Sequence, residues 1–529
     1  MLRRLPAFQR LFLTFMSLKT LAPELVLEIL FHLDVYTVIS ISSVNKDFRC
    51  IAFTNQLWLS LLDELDFHNL VDLPPRDLLR SCSTTDLMAI VKRTICGPAS
   101  WLPASSSVVE PQRKLTFKLS PHIVNNLINI YLIRGGKYAL VQTVTSMNIH
   151  EVQSGKQISL FDGDYMSTNW ALDLQPGGKT LRLLRVPGRN FGSSEIVLWE
   201  VDLSSGRALE IFRLNFPGVE FRRMCTIHGD FLTFGFSSDG SAHMPVMLVN
   251  WREETYISLN YVGRTYYGTH VALIPDHIVA SYIDNFEPFQ RHLAITSFSS
   301  LENKCQPLHT FDLNIGSINE IWGHDIPFDF HEELIIDSTR PLRDLNSYIR
   351  LHAFPSIVHG GAYKLRIYVC ISPPSPAGQS FGGRFLNRMG IVRSAQGTAA
   401  LLSYLVHPRS SSSRLSYPSP ITIQLTSTLA AVPAPSTPAC MSYARYCLDD
   451  SEWTARIDRY AGRSIVDVLC ARSIYRNGDN FWSRRNSNRN KPRVVLTRIT
   501  KPNWLCLRLS LNGAVVHVEG DLVVIEYYA

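Results

Sequence analysis

The first seventy residues follow a helical period of apolar and polar positions. Apolar side chains recur at every fourth position of the opening segment: Leu21, Leu25, Ile29 and Leu33. This spacing predicts a helix with a continuous apolar stripe over about three turns. Thr20 is a candidate cap for this helix, and Pro23 falls in its first turn, where a missing N–H costs nothing.

Three further short helices are predicted after it. Asp34 is a suitable N-cap for a second helix that runs through Ile41, and Asn45 begins a third. A fourth helix holds the apolar residues between Leu57 and Leu65. The four make an orthogonal bundle of about fifty residues, which is marginal on its own. Because its first helix has more apolar surface than so small a core can cover, the bundle is expected to bind a partner.

A connector follows the bundle. Residues 70–75 form a turn-rich break, and residues 83–86 offer capping side chains for one bridging helix. Residues 97–98 and 103–107, rich in Gly, Pro and Ser, are then expected to form a linker.

From about Arg113 the pattern changes to the alternation that is typical of β-strands. The alternating stretches are 115–119, 138–141, 181–186, 196–201, 231–236 and 292–295. The chain ends in AVVHVEGDLVVIEYYA, which predicts two further strands.

Two segments of this larger part are near copies of each other. One begins at His150 (HEVQSGKQISLF) and the other at Trp199 (WEVDLSSGRALEIF), and each predicts a strand, a Ser-Gly turn and a returning strand. A third begins at Leu248 (LVNWREETYISL) and lacks the glycine, and the turn recurs once more from Asp458 (DRYAGRSIV). The spacing of about 45 to 50 residues is the span of one four-stranded propeller blade.

The chain is therefore predicted to be multidomain, with a small all-α bundle followed by an all-β propeller of about six to eight blades. A β-sandwich-type all-β domain is the alternative for the larger part. The predicted boundaries are a tail at 1–17, the bundle at 18–66, a helical connector and linker at 67–111, and the propeller at 112–529. Three stretches of the propeller are predicted to be mobile loops from their composition: 372–383, 408–438 and 482–493.

The bundle segment, LAPELVLEILFHLDVYTVISISSVNKDFRCIAFTNQLWLSLLDEL, resembles an F-box. The positions that match the family pattern are Leu21, the Pro23-Glu24-Leu25 triplet, Ile29, the Leu33-Asp34 junction, Val44, Phe48 and the closing Leu57-Trp58. One position departs from it, since Ala22 stands where the family has proline. Proline fixes the entry of a chain into a helix, so its loss is expected to weaken the first contact with a partner without abolishing it.

The resemblance implies a role in a ubiquitin ligase. F-box proteins dock on the adaptor subunit of an SCF (Skp–cullin–F-box) ligase, through it on a cullin, and recruit a protein substrate with the domain that follows. The resemblance assigns these residues to the adaptor surface, although some of them must form the core instead: Leu21, Pro23, Glu24, Leu25, Ile29, Leu33, Val44 and Trp58. On this division, deletion of residues 1–66 is expected to leave a soluble propeller.

The larger domain resembles, more loosely, the WD-repeat-like propellers of fungal F-box proteins. The Gly-His and Trp-Asp signatures of WD repeats are absent, and Trp199-Glu200 is the nearest approach to them. The alternative to a ligase subunit is a propeller interaction scaffold whose bundle packs on its own second domain and recruits no ligase.

Composition narrows the classes of protein further. With 46% apolar residues, 18% charged residues and a net charge of +7, the 529-residue chain is neither wholly disordered nor a general polyanion binder. Ten cysteines without a CxxC pair indicate reduced thiols in the cytosol or nucleus. No run of eighteen apolar residues occurs, so no transmembrane helix or membrane partner is expected. The basic, apolar first sixteen residues fit a mitochondrial presequence, a tail, or a start codon placed upstream of Met16.

Little in the sequence points to catalysis, so a non-catalytic protein without cofactor or metal is expected. The richest cluster of ligand-type residues is His324, Asp325, Asp329, His331, Glu332 and Glu333. Its spacing favours a solvated acidic loop over a metal site. Tyr266, Tyr267 and His270 are candidates to line a pocket, with core packing as the alternative. An enzyme on the propeller channel would need histidine and carboxylate side chains that converge at the blade ends.

A basic loop is the other candidate site. Its cationic residues are Arg484, Arg485, Arg489, Lys491 and Arg493. Guanidinium groups suit phosphate and carboxylate, so this loop is a candidate for binding a phosphorylated or acidic segment of a substrate protein. Nucleic-acid binding is less favoured, and a solvated loop is the remaining alternative.

Overall fold

A computed structural model describes nineteen stretches of the chain. They are 21–74, 76–96, 111–163, 169–187, 195–215, 220–237, 245–261, 269–283, 291–310, 320–322, 325–334, 346–372, 398–408, 422–433, 453–460, 463–470, 495–502, 505–509 and 514–527. Within them, six helices precede the first strand: α1 (Pro23–Phe31), α2 (Val35–Ser42), α3 (Lys46–Ala52), α4 (Asn55–Phe67), α5 (Arg76–Ser81) and α6 (Thr84–Cys96). We call residues 21–96 the helical unit.

The helix starts follow the predicted capping chemistry. Asp34 caps α2 by accepting a hydrogen bond from the Thr37 N–H at 2.7 Å, and Asn45 caps α3 in the same way. Helix α1 begins differently, because its N-cap is Ala22, which has no side-chain acceptor and is followed by Pro23. The predicted cap Thr20 lies outside the described residues.

The C-terminal end of α4 is a Schellman motif. Asn69 takes the left-handed conformation with φ +58°, and its N–H bonds the carbonyl of Asp66 while the Leu70 N–H bonds that of Leu65. Asparagine tolerates this conformation better than most residues, and both leucines are buried as the motif requires. The chain therefore turns sharply at Asn69 and leaves this polar side chain at the helix end.

The connector contains one more helix than predicted. Helix α5 occupies residues that carry too few apolar positions to show a period, and only its Leu79 is buried. Helix α6 confirms the bridging helix, and Ser83 and Asp86 cap it reciprocally, with each side chain bonding the backbone N–H of the other.

The core of the helical unit is one apolar cluster drawn from all of these helices. Trp58 is its largest member, with 1% of its surface exposed and its indole N–H bonded to the carbonyl of Ala52 at 2.9 Å. Ile357, from the β domain, is buried in the same cluster. The two parts of the chain therefore share a core.

The described strands form seven sheets, in which every pairing is antiparallel except that of the short β18 with β13. Sheet 1 consists of β2 (Leu127–Leu132), β3 (Tyr138–Thr143), β4 (Ser146–Glu151) and β5 (Gln157–Asp162). Sheet 2 consists of β6 (Asn169–Leu174), β7 (Thr180–Val186), β8 (Glu195–Asp202) and β9 (Ala208–Asn215). Sheet 3 consists of β10 (Glu220–His228), β11 (Phe231–Ser237), β12 (Val246–Asn250) and β13 (Thr255–Asn260), with the short β17 (Gln306–Pro307) and β18 (Glu320–Trp322) on its edge.

The remaining four sheets follow in chain order. Sheet 4 consists of β14 (His270–Ile274), β15 (His277–Ile283), β16 (Arg291–Ser297) and β19 (Phe330–Glu333). Sheet 5 consists of β20 (Asn346–Pro355), β21 (Tyr363–Ser372), β22 (Thr398–His407) and β23 (Thr422–Pro433). Sheet 6 consists of β24 (Trp453–Tyr460), β25 (Arg463–Cys470) and β26 (Val495–Pro502), and sheet 7 of β27 (Leu505–Leu509), β28 (Val515–Glu519), β29 (Leu522–Tyr527) and β1 (Arg113–Lys118). Two short helices, α7 (Pro121–Asn125) and α8 (Phe298–Leu301), lie between strands.

The sheets follow one another as in a ring, and the described residues show each junction except the one between sheets 5 and 6. The first strand of the chain, β1, pairs with β29 and completes the last sheet. Shared apolar cores join sheet 7 to sheet 1 and then each sheet to the next as far as sheet 5, and β24 of sheet 6 contacts β27 of sheet 7. The first strands of neighbouring sheets also contact one another, as in β6 with β10 and β14 with β20. This is the organisation of a β-propeller and not of a two-sheet sandwich, so each sheet is called a blade below.

The predicted repeat is the hairpin between the third and fourth strands of blades 1 to 3. Gly155 and Gly206 occupy its turn with φ of +69° and +78°, and Glu254 takes the same region, with φ +51°, in the copy without glycine. The Gly206 turn packs on the outer strand of blade 1, where a Cβ at Gly206 would lie 2.1 Å from the carbonyl oxygen of Ile158. The glycine therefore permits a close approach between blades as well as the turn.

One loop prediction is wrong in part. Residues 422–433, inside the predicted loop 408–438, form β23 and pair along β22. Their threonines and alternating apolar residues favour a strand, but the Ser- and Pro-rich flanks hide this in the composition of the whole stretch. Loop 482–493 and most of loop 372–383 lie outside the described residues.

Candidate functional site

One face of helix α1 is apolar and exposed. Leu25 and Ile29 have 55% and 42% of their surface exposed, whereas Val26 and Leu30, one position further along, are buried in the core. The two exposed side chains are four residues apart, so they lie on the same side of the helix. Glu28 and His32 continue this side, with the His32 Nε2 atom 3.7 Å from a Glu28 carboxylate oxygen. An exposed pair of large apolar side chains with polar neighbours makes this side of the helix a candidate protein-binding surface.

Val44 is exposed to a similar degree, 56%, and immediately precedes the Asn45 cap of α3, which packs on α1. Of the residues that the F-box resemblance assigns to the adaptor surface, Pro23 and Glu24 are also exposed, while Leu21 and Leu33 are half-buried and pack on the core. Trp58 is enclosed in the core, where it is out of reach of a partner. We call Pro23, Glu24, Leu25, Ile29 and Val44 the α1 face.

The helical unit is docked on the propeller at the junction of α1 and α2. The second carboxylate oxygen of Asp34 accepts the N–H of Gly360 at 3.0 Å. This side chain therefore caps α2 and at the same time forms a hydrogen bond to blade 5. The Tyr36 N–H donates to the carbonyl of Val358 at 3.0 Å, and its ring lies 4.6 Å from the ring of His359. These contacts hold the turn between β20 and β21, the same turn that inserts Ile357 into the helical core.

A second docking point lies at the end of α4. The carbonyl of Phe67 accepts the N–H of Gly177 at 2.6 Å, and the Asn69 amide donates to the carbonyl of Gln175 at 3.1 Å. A Cβ at Gly178 would lie 2.6 Å from the Asn69 side-chain oxygen, so this turn of blade 2 fits only a residue without a side chain. The asparagine that ends the helix therefore also fixes the helix on the propeller.

Blade 1 repeats this arrangement beside it. Lys137 forms an ion pair with Asp66 at 2.9 Å, and a Cβ at Gly136 would lie 2.6 Å from the carboxyl carbon of Asp72. The two turns share the sequence Gly-Gly-Lys, at residues 135–137 and 177–179, with matching positive φ angles at both glycines. This short repeat is therefore a sequence signal for the docking surface, and it is separate from the longer hairpin repeat.

All three docking turns connect the first and second strands of a blade, so they lie at the same end of the propeller. Blades 1 and 2 are adjacent in the ring, and blade 5 is across it from them. The helical unit consequently spans one mouth of the central channel. None of the described docking contacts uses Leu25, Ile29 or Val44, so the α1 face remains open.

Histidine and carboxylate groups do converge at this mouth, which the sequence did not reveal. The Nδ1 atom of His228 lies 3.9 Å from one oxygen of Asp173, whose other oxygen accepts the N–H of Gly229 at 3.0 Å and the amide of Gln175 at 2.7 Å. Burial lowers the pKa of His228 and raises that of the neighbouring Tyr363 to about 12, so both are neutral near pH 7. Gln175 is the residue that Asn69 bonds. The group therefore joins blades 2, 3 and 5 beneath the helical unit.

The predicted acidic cluster is dispersed in the described part of the chain. Asp329 accepts the N–H of Ser297 at 2.6 Å, and His331 bonds the hydroxyl of Tyr282 at 2.9 Å and stacks on the ring of His292. Within the described residues no three His, Cys, Asp or Glu side chains are grouped to hold a metal. His324, the tyrosines 266 and 267, and the basic loop around Arg484 lie outside those residues. His270 is the first residue of β14.

No described helix combines the length and the apolar character that a membrane crossing requires.

Comparison with known proteins gives no family. No family model matches the chain, and no curated protein matches it either. Among solved structures, it is similar to the WD40 domain of SCAP from fission yeast (10% identity, 76% of this chain and 85% of that chain, TM-score 0.35). A chain of the mitotic checkpoint complex gives 10% identity, 81% and 98% coverage and a TM-score of 0.36. The β-propeller domain of the trilobed protease from Pyrococcus furiosus is 9% identical, with 76% of this chain and 91% of that chain covered and a TM-score of 0.34. Scores this low do not define a shared fold, so the propeller assignment rests on the strand pairing described above.

Proposed function

We propose that the chain is the substrate-recognition subunit of an SCF-type cullin ubiquitin ligase. The helical unit would be an F-box that binds the adaptor subunit, and the propeller would bind a protein substrate. The observation that carries this proposal is the α1 face. It combines the F-box sequence pattern with large apolar side chains left exposed on a unit that is docked on the propeller through other residues.

The proposed adaptor contacts are the members of the α1 face. Leu25 and Ile29 supply the apolar anchors, because such interfaces draw most of their affinity from a few large buried side chains. Ala22 has φ −61° and ψ 142°, which are values that proline also adopts. The backbone at Ala22 therefore already has the geometry that the family's proline would impose. The absence of proline makes this residue less rigid but does not change its conformation.

The protein needs no catalytic group for this role. A receptor raises the effective concentration of a substrate lysine near a ubiquitin-conjugating enzyme held elsewhere in the complex. The docked helical unit supports such a role, since it fixes the direction of the α1 face relative to the propeller. The basic residues 484–493 remain candidates for substrate binding, and the proposed compartment is the cytosol or nucleus.

The test is binding of the purified adaptor subunit to the full chain. The double variant Leu25→Asp/Ile29→Asp should lose binding, because two carboxylates desolvated without partners cost several kcal/mol, or more than about a hundredfold in affinity. Leu160→Asp is the matched control, since Leu160 is equally exposed on the outer strand of blade 1 and should bind normally. Wild-type protein that does not bind the adaptor would refute the proposal.

The second candidate is a propeller interaction scaffold that recruits no ligase. The observation in its favour is the docking of the helical unit on blades 1, 2 and 5, which gives this unit a structural role of its own. The same measurement distinguishes the two proposed functions, because a scaffold would not bind the adaptor.

A further inference from the structure

Two buried arginines of the propeller have opposite surroundings. Arg182, on β7 of blade 2, bonds the Glu200 carboxylate at 3.2 Å and the Gly229 carbonyl at 2.9 Å, and its guanidinium lies over the ring of Trp251. Arg291, the first residue of β16 in blade 4, is 1% exposed, and none of its three side-chain nitrogens has a hydrogen-bond partner. The first arginine has a carboxylate and a carbonyl as hydrogen-bond acceptors, and the second has none.

The unpaired charge is expensive. A guanidinium carries five N–H donors, and removing it from water without an acceptor costs several kcal/mol. Burial lowers the pKa of Arg291 to about 9, which still leaves the group protonated near neutral pH. The protein therefore holds a buried cation whose acceptors the described chain does not provide.

The position of Arg291 defines the surroundings of this cation. Leu293 and Ile295, two and four residues further along the same strand, pack on the core shared with blade 5, so Arg291 lies on that face of blade 4. Ser281 and Glu332 pair with Leu293 from its two sides and are therefore diagonal neighbours of Arg291 on the same face, and the Glu332 carboxylate makes no hydrogen bond to Arg291. The Ser281 hydroxyl is fully buried and also lacks a hydrogen-bond partner.

We propose that Arg291 and Ser281 form a buried site for a small oxyanion of the phosphate or carboxylate class, between blades 4 and 5. Both groups donate hydrogen bonds, which oxyanions accept, and a guanidinium binds such ions through two parallel bonds. The near-complete burial of both groups selects a small ion over a protein segment. The antiparallel strand order places the site at the end of the propeller opposite the helical unit. The bound ion would neutralise Arg291 on the face of blade 4 that packs on blade 5.

The test is a melting-temperature titration of the full chain with inorganic phosphate at constant ionic strength. Wild-type protein should show a saturable rise of at least about 2 °C. Arg291→Met should lose this response and, without phosphate, should melt no lower than wild type, because the substitution removes an unpaired buried charge. Arg182→Met is the matched control, since it should melt lower than wild type and keep the response.

Phosphate also stabilises proteins in general by exclusion from their surface, but that effect is not saturable and would be shared by all variants. A rise that is only unsaturated, or one that persists in Arg291→Met, would overturn the proposal. If Arg291→Met does not fold, Arg291→Lys keeps the charge and should shift the titration to higher phosphate, whereas an unchanged midpoint would overturn it. A parallel titration with O-phosphoserine distinguishes the source of the ion. Stabilisation by O-phosphoserine and not by inorganic phosphate would refute the small-ion site.

Discussion

The packing of the Gly206 turn on blade 1 makes a quantitative prediction about propeller stability. In Gly206→Ala the new Cβ would lie 2.1 Å from the Ile158 carbonyl oxygen, whereas real Cβ contacts are almost always longer than 3.0 Å. The two blades must therefore separate by roughly 1 Å at this point, a backbone movement whose cost is that of overpacking, about 1–3 kcal/mol. The positive φ of +78° adds about 1 kcal/mol for alanine after its gain from a less flexible unfolded chain.

The expected loss is therefore about 2–4 kcal/mol in the free energy of unfolding. Gly520→Ala is the matched control, because Gly520 occupies a hairpin turn of blade 7 with φ +61° and has no atom within 4 Å of a new Cβ. It pays the conformational cost alone, about 1 kcal/mol. Urea denaturation of both variants, followed by tryptophan fluorescence, measures the difference as a shift in the midpoint at constant slope. Equal losses for the two variants would show that the blades do not meet closely at Gly206.

Three more predictions follow from single side chains. Trp58→Phe should cost about 1–3 kcal/mol, because it leaves the buried carbonyl of Ala52 without its donor and opens a cavity, and a denaturation midpoint unchanged from wild type would contradict the buried position. Asp34→Ala should lose about 1–3 kcal/mol by removing both the α2 cap and the bond to Gly360, whereas Asp34→Asn should recover part of it; equal midpoints for the two variants would be the contrary result. Burial lowers the pKa of His150, so the unfolded chain binds the extra proton first and wild-type stability should fall as pH drops below about 6.5. In His150→Gln the melting temperature should depend less on pH between pH 7 and 5. If it depends on pH as in the wild type, groups other than His150 cause the effect.

The local elements were predictable from the sequence, since their causes are local. The caps Asp34 and Asn45 and the alternation of the strands each involve residues a few positions apart, and the structure confirms them. The repeat of the Ser-Gly hairpin was also readable, because its two copies serve equivalent turns of successive blades. The number of blades was not, since the hairpin joins third and fourth strands only in blades 1 to 3, whereas the copy that begins at Asp458 falls between the first two strands of blade 6.

The division of the F-box residues between core and surface needed the structure. Leu25 and Ile29 have the same spacing as Val26 and Leu30, so periodicity alone does not say which pair is buried. The burial of Trp58 could have been predicted from the sequence, because Trp58, Leu61, Leu62 and Leu65 have the spacing of a buried stripe. The docking of the helical unit depends on residues more than a hundred positions apart, such as Asn69 and Gln175, which no local pattern relates.

This docking changes what deletion of residues 1–66 should produce. The cut removes α1 to α3 and nearly all of α4 but leaves Leu70, Val71, Leu79, Leu87 and Val91, whose buried surface belongs to the lost core. It also uncovers Ile357 on blade 5. The truncated chain should therefore aggregate, contrary to the sequence-based expectation of a soluble propeller.

A cut at residue 111 removes the whole unit and keeps β1, so that, of the described residues in the buried helical core, Ile357 alone stays behind on the propeller. Deletion of 1–111 combined with Ile357→Ser should be monomeric by size-exclusion chromatography with the circular dichroism of a β protein, while deletion of 1–66 should elute as aggregate. If the 1–66 deletion is instead monomeric and melts cooperatively, the helical unit and the propeller are independent domains. The helical unit would then be flexibly linked to the propeller, and the fold would not fix the direction of the α1 face relative to a bound substrate.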